Sequence, residues 1–208
     1  CEAGISDERA LRDLTRNSLC GMGLNEIQTY SFVSPKGVDN VRIDEDSWER
    51  AFVRIINPLG EENSVMRTIL TPNMLEVLGR NYSRNIDSVK AFEIGNTFMA
   101  NMLGDDKLPD EQYSLCIGMY GKDEDFYSLK GVVTELLRVM GIRNIGFVAE
   151  SEYGVYHPGR CARITVTPKP EAEFHDGEQE ELGIMGEIHP DVAENYGMDG
   201  LRIYCCEL

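Results

Sequence analysis

The sequence predicts an α+β fold, a mostly antiparallel sheet flanked by helices. Helices and strands do not alternate regularly enough for a doubly wound parallel sheet. Several strand patterns of period two follow one another directly, and about four helical periods stand among about eight strands. The chain has 208 residues, 42% of them hydrophobic, which suffices for a proper core, and it reads as a single domain over 1–208.

The first helix opens at Ser6, a cap residue, with Asp7 and Glu8 in its first turn where the helix dipole favours acids. It offers Leu11, Leu14 and Ser18 or Leu19 to the interior, and Gly21 and Gly23 end it. Residues 25–33 alternate as a strand, Ile27, Thr29, Ser31 and Val33 on one face and Gln28, Tyr30 and Phe32 on the other. A second strand is expected at Ala51–Ile56. Thr71 and Pro72 start a helix with Leu75, Leu78 and Tyr82 as its buried stripe, and a strand through Val89, Ala91, Glu93 and Gly95 follows.

The clearest helical period runs from Asp125 to Met140, through Phe126, Leu129, Val132, Val133, Leu136, Leu137 and Met140. Asp125 can cap its start and Gly141 its end. Strands are expected at Tyr113–Tyr120, Ile145–Ala149 and Cys161–Thr167. Pro168–Glu181 reads as an exposed hairpin loop, and a last short helix opens at Pro190 and closes near Gly197.

Composition removes several function classes. The apolar stretches are too short to span a bilayer, and the first residues lack a signal-peptide pattern, so no membrane role and a cytoplasmic location are expected. The chain begins at Cys1 and closes on the strand-like Arg202–Glu207, which suggests a segment of a longer polypeptide. Cys1, Cys20, Cys116, Cys161, Cys205 and Cys206 contain no Cys-x-x-Cys pair. Cys205 and Cys206 fall on opposite faces of a strand, poor geometry for shared zinc, so buried reduced thiols are expected. A formal charge of −16 repels phosphate backbones, so the segment is not a main grip for nucleic acid. Arg9, Arg12, Arg16, Arg80 and Arg84 read as solvated helix faces.

Each candidate site has a structural competitor. His157-Pro158-Gly159-Arg160, with Lys130, could bind a carboxylate or phosphate, or could be a rigid turn before a strand. His189, ahead of Pro190, can cap a helix or act chemically. Glu93 and Glu187 could form an acid–base pair or hydrogen-bond at strand ends. The acidic runs Asp105, Asp106, Asp110, Glu111 and Asp123, Glu124, Asp125 lack calcium-loop spacing. Neither Gly-x-x-x-x-Gly-Lys nor Gly-x-Gly-x-x-Gly occurs.

Gly23-Leu24-Asn25-Glu26-Ile27-Gln28-Thr29-Tyr30 resembles the first motif of class II aminoacyl-tRNA synthetases, Gly-Phe-x-Glu-Val-x-Thr-Pro, with Tyr30 for its proline. Lys90-Ala91-Phe92-Glu93 takes the place of the second, Phe-Arg-x-Glu, with Ala91 where active members grip ATP with arginine. The third, Gly-x-Gly-x-Gly-x-Glu-Arg, has no counterpart in the tail from Gly183 to Leu208. Further segments are Asn57-Pro58-Leu59, Met66-Arg67-Thr68-Ile69-Leu70-Thr71-Pro72, Asn81 with Arg84, Phe92-Glu93-Ile94-Gly95, Asp125-Phe126-Tyr127-Ser128-Leu129-Lys130-Gly131, Tyr156-His157-Pro158-Gly159-Arg160 and Gly186-Glu187-Ile188-His189-Pro190. In order and spacing they resemble the catalytic-like module of the bacterial phenylalanyl-tRNA synthetase β subunit.

That resemblance implies a noncatalytic module that pairs with the catalytic α subunit in an α2β2 assembly. The parent complex would use ATP and Mg²⁺ to join phenylalanine to its tRNA, with no cofactor in this segment and tRNA bound mainly elsewhere. It places the interface on residues 7–33, with Glu26 and Thr29 in the motif and Asn57, Pro58 and Arg67 close by. Lys130, Glu187, His157, Arg160 and His189 complete the family-motif candidates. Two alternatives stay open: an active ligase adenylating a small acid, and a metabolite-binding module using His157, Arg160 and Lys130.

Overall fold

The computed structural model describes residues 4–100, 108–167 and 179–208. Its main sheet has seven strands. They are β1 (Asn25–Glu26), β4 (Val89–Met99), β5 (Asp110–Tyr120), β6 (Ile145–Glu150), β7 (Tyr156–Val166), β8 (Glu180–Ile188) and β9 (Tyr204–Glu207). Their spatial order is β1-β4-β5-β9-β8-β7-β6. Every neighbouring pair is antiparallel except β1 and β4. A separate ribbon pairs β2 (Phe32–Val33) with β3 (Val65–Met66). The expected α+β sheet is therefore present.

Helices α1 (Asp7–Gly21), α3 (Thr71–Tyr82) and α4 (Phe126–Val139) cover the sheet, with short α2 (Lys36–Asn40) and α5 (Pro190–Asn195) beside it. Two buried clusters lie on its opposite faces. Ala91, Cys116 and Cys205 pack with Met74, Leu75 and Leu78 of α3. Phe92, Ile117, Met185 and Cys206 pack with Leu129, Val133, Leu136 and Leu137 of α4 and Leu19 of α1. Alternation along each strand produces this division, and it separates Cys205 from Cys206. The described cysteines are free thiols, and Cys20 among them is exposed rather than buried; Cys1 lies outside the described residues.

The local start signals act as their chemistry suggests. Ser6 accepts the Arg9 amide, and Asp125 forms a reciprocal capping box with Ser128. Gly141, at φ 86°, follows α4 in the left-handed region that favours glycine.

Other expectations change. The strand over 25–33 is only the two residue pairs of β1 and β2, because residues 29–31 bond to the Glu93 and Asn73 side chains and the Arg67 amide instead of a ladder. Ala51–Ile56 forms no strand beyond one bridge from Arg54 to Val65. Leu11 and Leu14 are exposed: α1 turns Thr15 and Leu19 inward and leaves its second apolar line unmatched by this chain. Tyr82 is part-exposed at the end of α3. His157 to Arg160 lie within β7, across a register irregularity between Tyr156 and Cys161, not in a turn ahead of it. Of the expected loop at 168–181, residues 168–178 lie outside the described set, and Glu180 and Glu181 already belong to β8. Asp105 and Asp106 also lie outside it, whereas Asp110 and Glu111 belong to β5.

Candidate functional site

Three motif candidates meet in one buried network. Arg67 is 3% exposed and Glu93 1%, and Arg67 Nη1 donates to Glu93 Oε1 at 2.8 Å. The Thr29 hydroxyl donates to Glu93 Oε2 at 2.7 Å and accepts from Arg67 Nη1 at 2.8 Å. The Thr29 amide donates to Glu93 Oε1 at 3.1 Å. Arg67 Nε reaches the Asn96 carbonyl at 2.9 Å. A buried ion pair holds only where further hydrogen bonds fill its remaining valences, and here they do. Gly95 permits the arrangement, since a Cβ there would strike the Arg67 guanidinium. Arg67, expected close to a contact surface, is itself buried.

A cleft of about 360 Å³ opens on the face shared with α3. Among the described residues its charged lining is Glu49, Glu181, Glu207 and one cation, Arg163. All four are engaged. Arg163 donates to Glu150 at 2.6 Å and to Glu181 at 2.6 Å. Glu207 accepts from the Leu70 amide at 2.7 Å, the Thr71 amide at 2.9 Å and the Thr71 hydroxyl. It caps α3 from β9, on the same face of the sheet, where a helix N-terminus favours an anion. Burial still pushes its carboxyl above the usual range, against those hydrogen bonds. Glu49 accepts from Tyr153 at 3.0 Å and from Ser47, and burial, with Glu49 beside it, raises the Tyr153 phenol far above its ordinary value.

Ala91 does not face this cleft. It is buried beneath α3, and β4 presents Thr97 and Met99 to the cleft instead. Neither of these two is an arginine. A triphosphate with its Mg²⁺ needs fixed cations, and this carboxylate lining does not suit one.

The remaining candidates scatter. Glu26 accepts from Arg16 at 2.8 Å, tying β1 to α1. Asn57 and Pro58 sit in an exposed loop. Arg160 pairs with buried Glu187 at 2.6 Å. The Gly159 amide donates to His157 at 3.1 Å. His189 caps α5, its Nδ1 accepting from the Asp191 amide at 3.2 Å and meeting Arg42 at 2.7 Å. Burial, then Arg42, lower its pKa. Lys130 stands on α4 over the Phe147 ring at 4.2 Å. None of His157, Arg160 and Lys130 lines the cleft, and Glu93 does not face it with Glu187.

Sequence reasoning missed Glu49, Glu207, Tyr153 and Arg163. They come from separate segments, and no local signal couples Glu207 to Thr71, 136 positions away.

The sheet order, the helix under it and the single cleft-facing end of β4 define a class by comparison. Pyrrolysyl-tRNA synthetase from Desulfitobacterium hafniense superposes with a TM-score of 0.70 over 96% of this chain and 65% of its own, at 20% identity. The fold is that of a class II aminoacyl-tRNA synthetase core. Residues 2–208 match the family described as phenylalanyl tRNA synthetase beta chain CLM domain, and the chain belongs to that family. The phenylalanine–tRNA ligase beta subunit of Clostridium acetobutylicum is 40% identical over 205 residues, 99% of this chain and 24% of that protein. Its counterpart in Clostridium tetani is 40% identical over 207 residues, again 99% and 24%. That of Moorella thermoacetica is 35% identical over 187 residues, 85% of this chain and 22% of its own. The chain spans about a quarter of the length of these relatives.

Proposed function

We propose that this segment is a noncatalytic, synthetase-like domain of a longer β chain. It pairs with the catalytic α subunit in a cytoplasmic α2β2 enzyme that joins phenylalanine to its tRNA, and holds the active site of α in working shape. Amino acid, ATP, Mg²⁺ and the main tRNA contacts belong to other parts of that complex.

The observation that carries this reading is the cleft. A class II catalytic cleft must offer cations to the phosphates of ATP, and here the one lining cation among the described residues is held by two glutamates. The outer edge supports the pairing. Leu11 and Leu14 of α1, Tyr30 and Phe32 in the segment through β2, and Ile56 and Leu59 in the loop at Asn57 and Pro58 are exposed. Apolar side chains concentrated in the expected interface segments suit a protein partner. No helix among the described residues is long and apolar enough to cross a membrane.

Calorimetric titration tests this with the full β chain, its cognate α subunit, ATP and phenylalanine. Saturable binding to α, with no heat from either small ligand, is expected. ATP binding by the β chain alone would overturn the noncatalytic reading, and no association with α would overturn the pairing.

A further inference from the structure

Away from the cleft, two histidines flank one rung at the end of the β7–β8 ladder. Tyr156 pairs with Ile188, and beside that pair the His189 amide donates to the Val155 carbonyl at 2.9 Å. His157 and His189 are close enough that, after burial and Arg42, His157 also lowers the His189 pKa. The backbone around them departs from regular geometry on both sides. Tyr156 pairs with Ile188 and Cys161 with Gly186, so residues 157–160 stand opposite Glu187 alone. Gly186 admits this excursion, since a Cβ there would strike the Arg160 carbonyl. Irregularities of this kind re-aim side chains beside binding sites. Across from it, Arg42 stands in the left-handed region at φ 62°, and a Cβ on Gly154 would strike its carbonyl. A residue other than glycine keeps such a backbone only where its surroundings hold it there.

Both rings engage the same nitrogen. His157 Nδ1 accepts from the Gly159 amide at 3.1 Å. His189 Nδ1 accepts from the Asp191 amide at 3.2 Å and from Arg42 Nη1 at 2.7 Å. A neutral imidazole has one acceptor nitrogen and one donor nitrogen, so the proton of each ring sits on Nε2. Among the described residues neither Nε2 has a hydrogen-bond partner. A metal ion would need the Nε2 lone pair, which this tautomer lacks. What the two rings offer is a pair of N–H donors. Arg42 meets His189 and Asp191 through Nη1 alone, and Arg160 meets Glu187 through Nη1 alone, which leaves further N–H donors on each guanidinium. Asp191 and Glu187 offset the two positive charges, so recognition here rests on donor placement more than on net charge. A phosphate group suits it: several acceptor oxygens in a tetrahedron can meet donors arriving from four side chains, where a carboxylate has two oxygens in one plane.

We propose that His157, His189, Arg42 and Arg160 form an oxyanion site that takes a phosphate group. The site lies apart from the cleft and from the segments assigned to the α subunit, and it does not depend on that pairing. A free phosphate and a phosphate in an RNA backbone present the same acceptor chemistry to it. Lys130 is not part of it, because it stands on α4 over the Phe147 ring.

The test uses the full β chain with its α subunit and follows inorganic phosphate by calorimetry in a buffer free of other oxyanions. His157→Asn and His189→Asn are combined. An asparagine carbonyl can still accept the amide two residues on, at the turn and at the helix cap, so both Nε2–H donors are lost while the backbone keeps its partners; melting followed by circular dichroism checks this. Saturable phosphate binding is expected in the wild type and weakens about 10-fold in the double variant, the size of two lost hydrogen bonds. Arg42→Lys, which loses the planar fork and keeps the charge, weakens it in the same direction, and Lys130→Ala leaves it unchanged. Filter binding of tRNA separates the two sources: weaker tRNA binding by the double variant assigns the site to an RNA phosphate, and unchanged tRNA binding assigns it to a free one. A wild type without saturable phosphate binding, or a folded double variant that binds phosphate as the wild type does, would overturn the site.

Discussion

The cleft and the outer edge of this molecule are opposites in how they meet their own chemistry. In the cleft every charged lining side chain among the described residues already has a partner from the same chain: Arg163 with Glu150 and Glu181, Glu207 with the start of α3, Glu49 with Tyr153. At the edge, Tyr30, Ile56 and Leu59 have almost no cover from the same chain. A self-satisfied cleft has little to offer a ligand, and an uncovered apolar edge has little reason to persist without a partner. That difference is what the proposed noncatalytic pairing rests on.

The largest expected effect separates core from cleft along one strand. Ala91→Arg drives an unpaired charge under α3 and is expected to abolish cooperative unfolding in circular dichroism. Met99→Arg, at the cleft, is expected to leave a folded protein. Equal behaviour of the two would break the assignment of β4. Next comes Glu93→Ala, which strands the buried Arg67 and should cost about 3–5 kcal/mol in urea denaturation; a loss within surface noise would mean the network is not closed. Leu78→Ala in the core should cost about 2–5 kcal/mol, whereas Leu59→Ser at the edge should stay within about 0.5 kcal/mol while weakening association. The smallest effect concerns acid. The Glu150 carboxyl lies below its ordinary range, held first by the Glu152 amide and then by Arg163. Its folded value is depressed, so its contribution is present above the ordinary glutamate range and is lost as pH falls through the lowered value. The stability gap between wild type and Glu150→Gln should therefore shrink on acidification, and a gap that widened would contradict the pairing.

What could be read in advance was what is local. Ser6 and Asp125 cap their helices because a side chain three residues from its target needs no tertiary help. The α4 stripe was equally plain. Leu11 and Leu14 were assigned to the interior because periodicity identifies an apolar face and says nothing of whose surface covers it. Residues 29–31 alternate like a strand, but the Glu93 and Asn73 side chains and the Arg67 amide offered their backbone better partners than a ladder did. Thr29, Arg67 and Glu93 could be named as candidates by resemblance, and only the fold showed that they touch. The cleft residues Glu49, Arg163 and Glu207 carried no local mark at all.

The strand latest in this sequence sits in the middle of the sheet. Without Tyr204–Glu207, β1-β4-β5 and β8-β7-β6 are two separate sheets, and α3 lacks the carboxylate that closes its first turn. During synthesis both half-sheets must therefore wait on the ribosome with open edges until these residues emerge. A nascent chain in that state is exposed to strand-to-strand aggregation, and its folding is slowed by a closing contact so distant in sequence. Chaperone demand should peak just before this strand emerges and fall once it inserts.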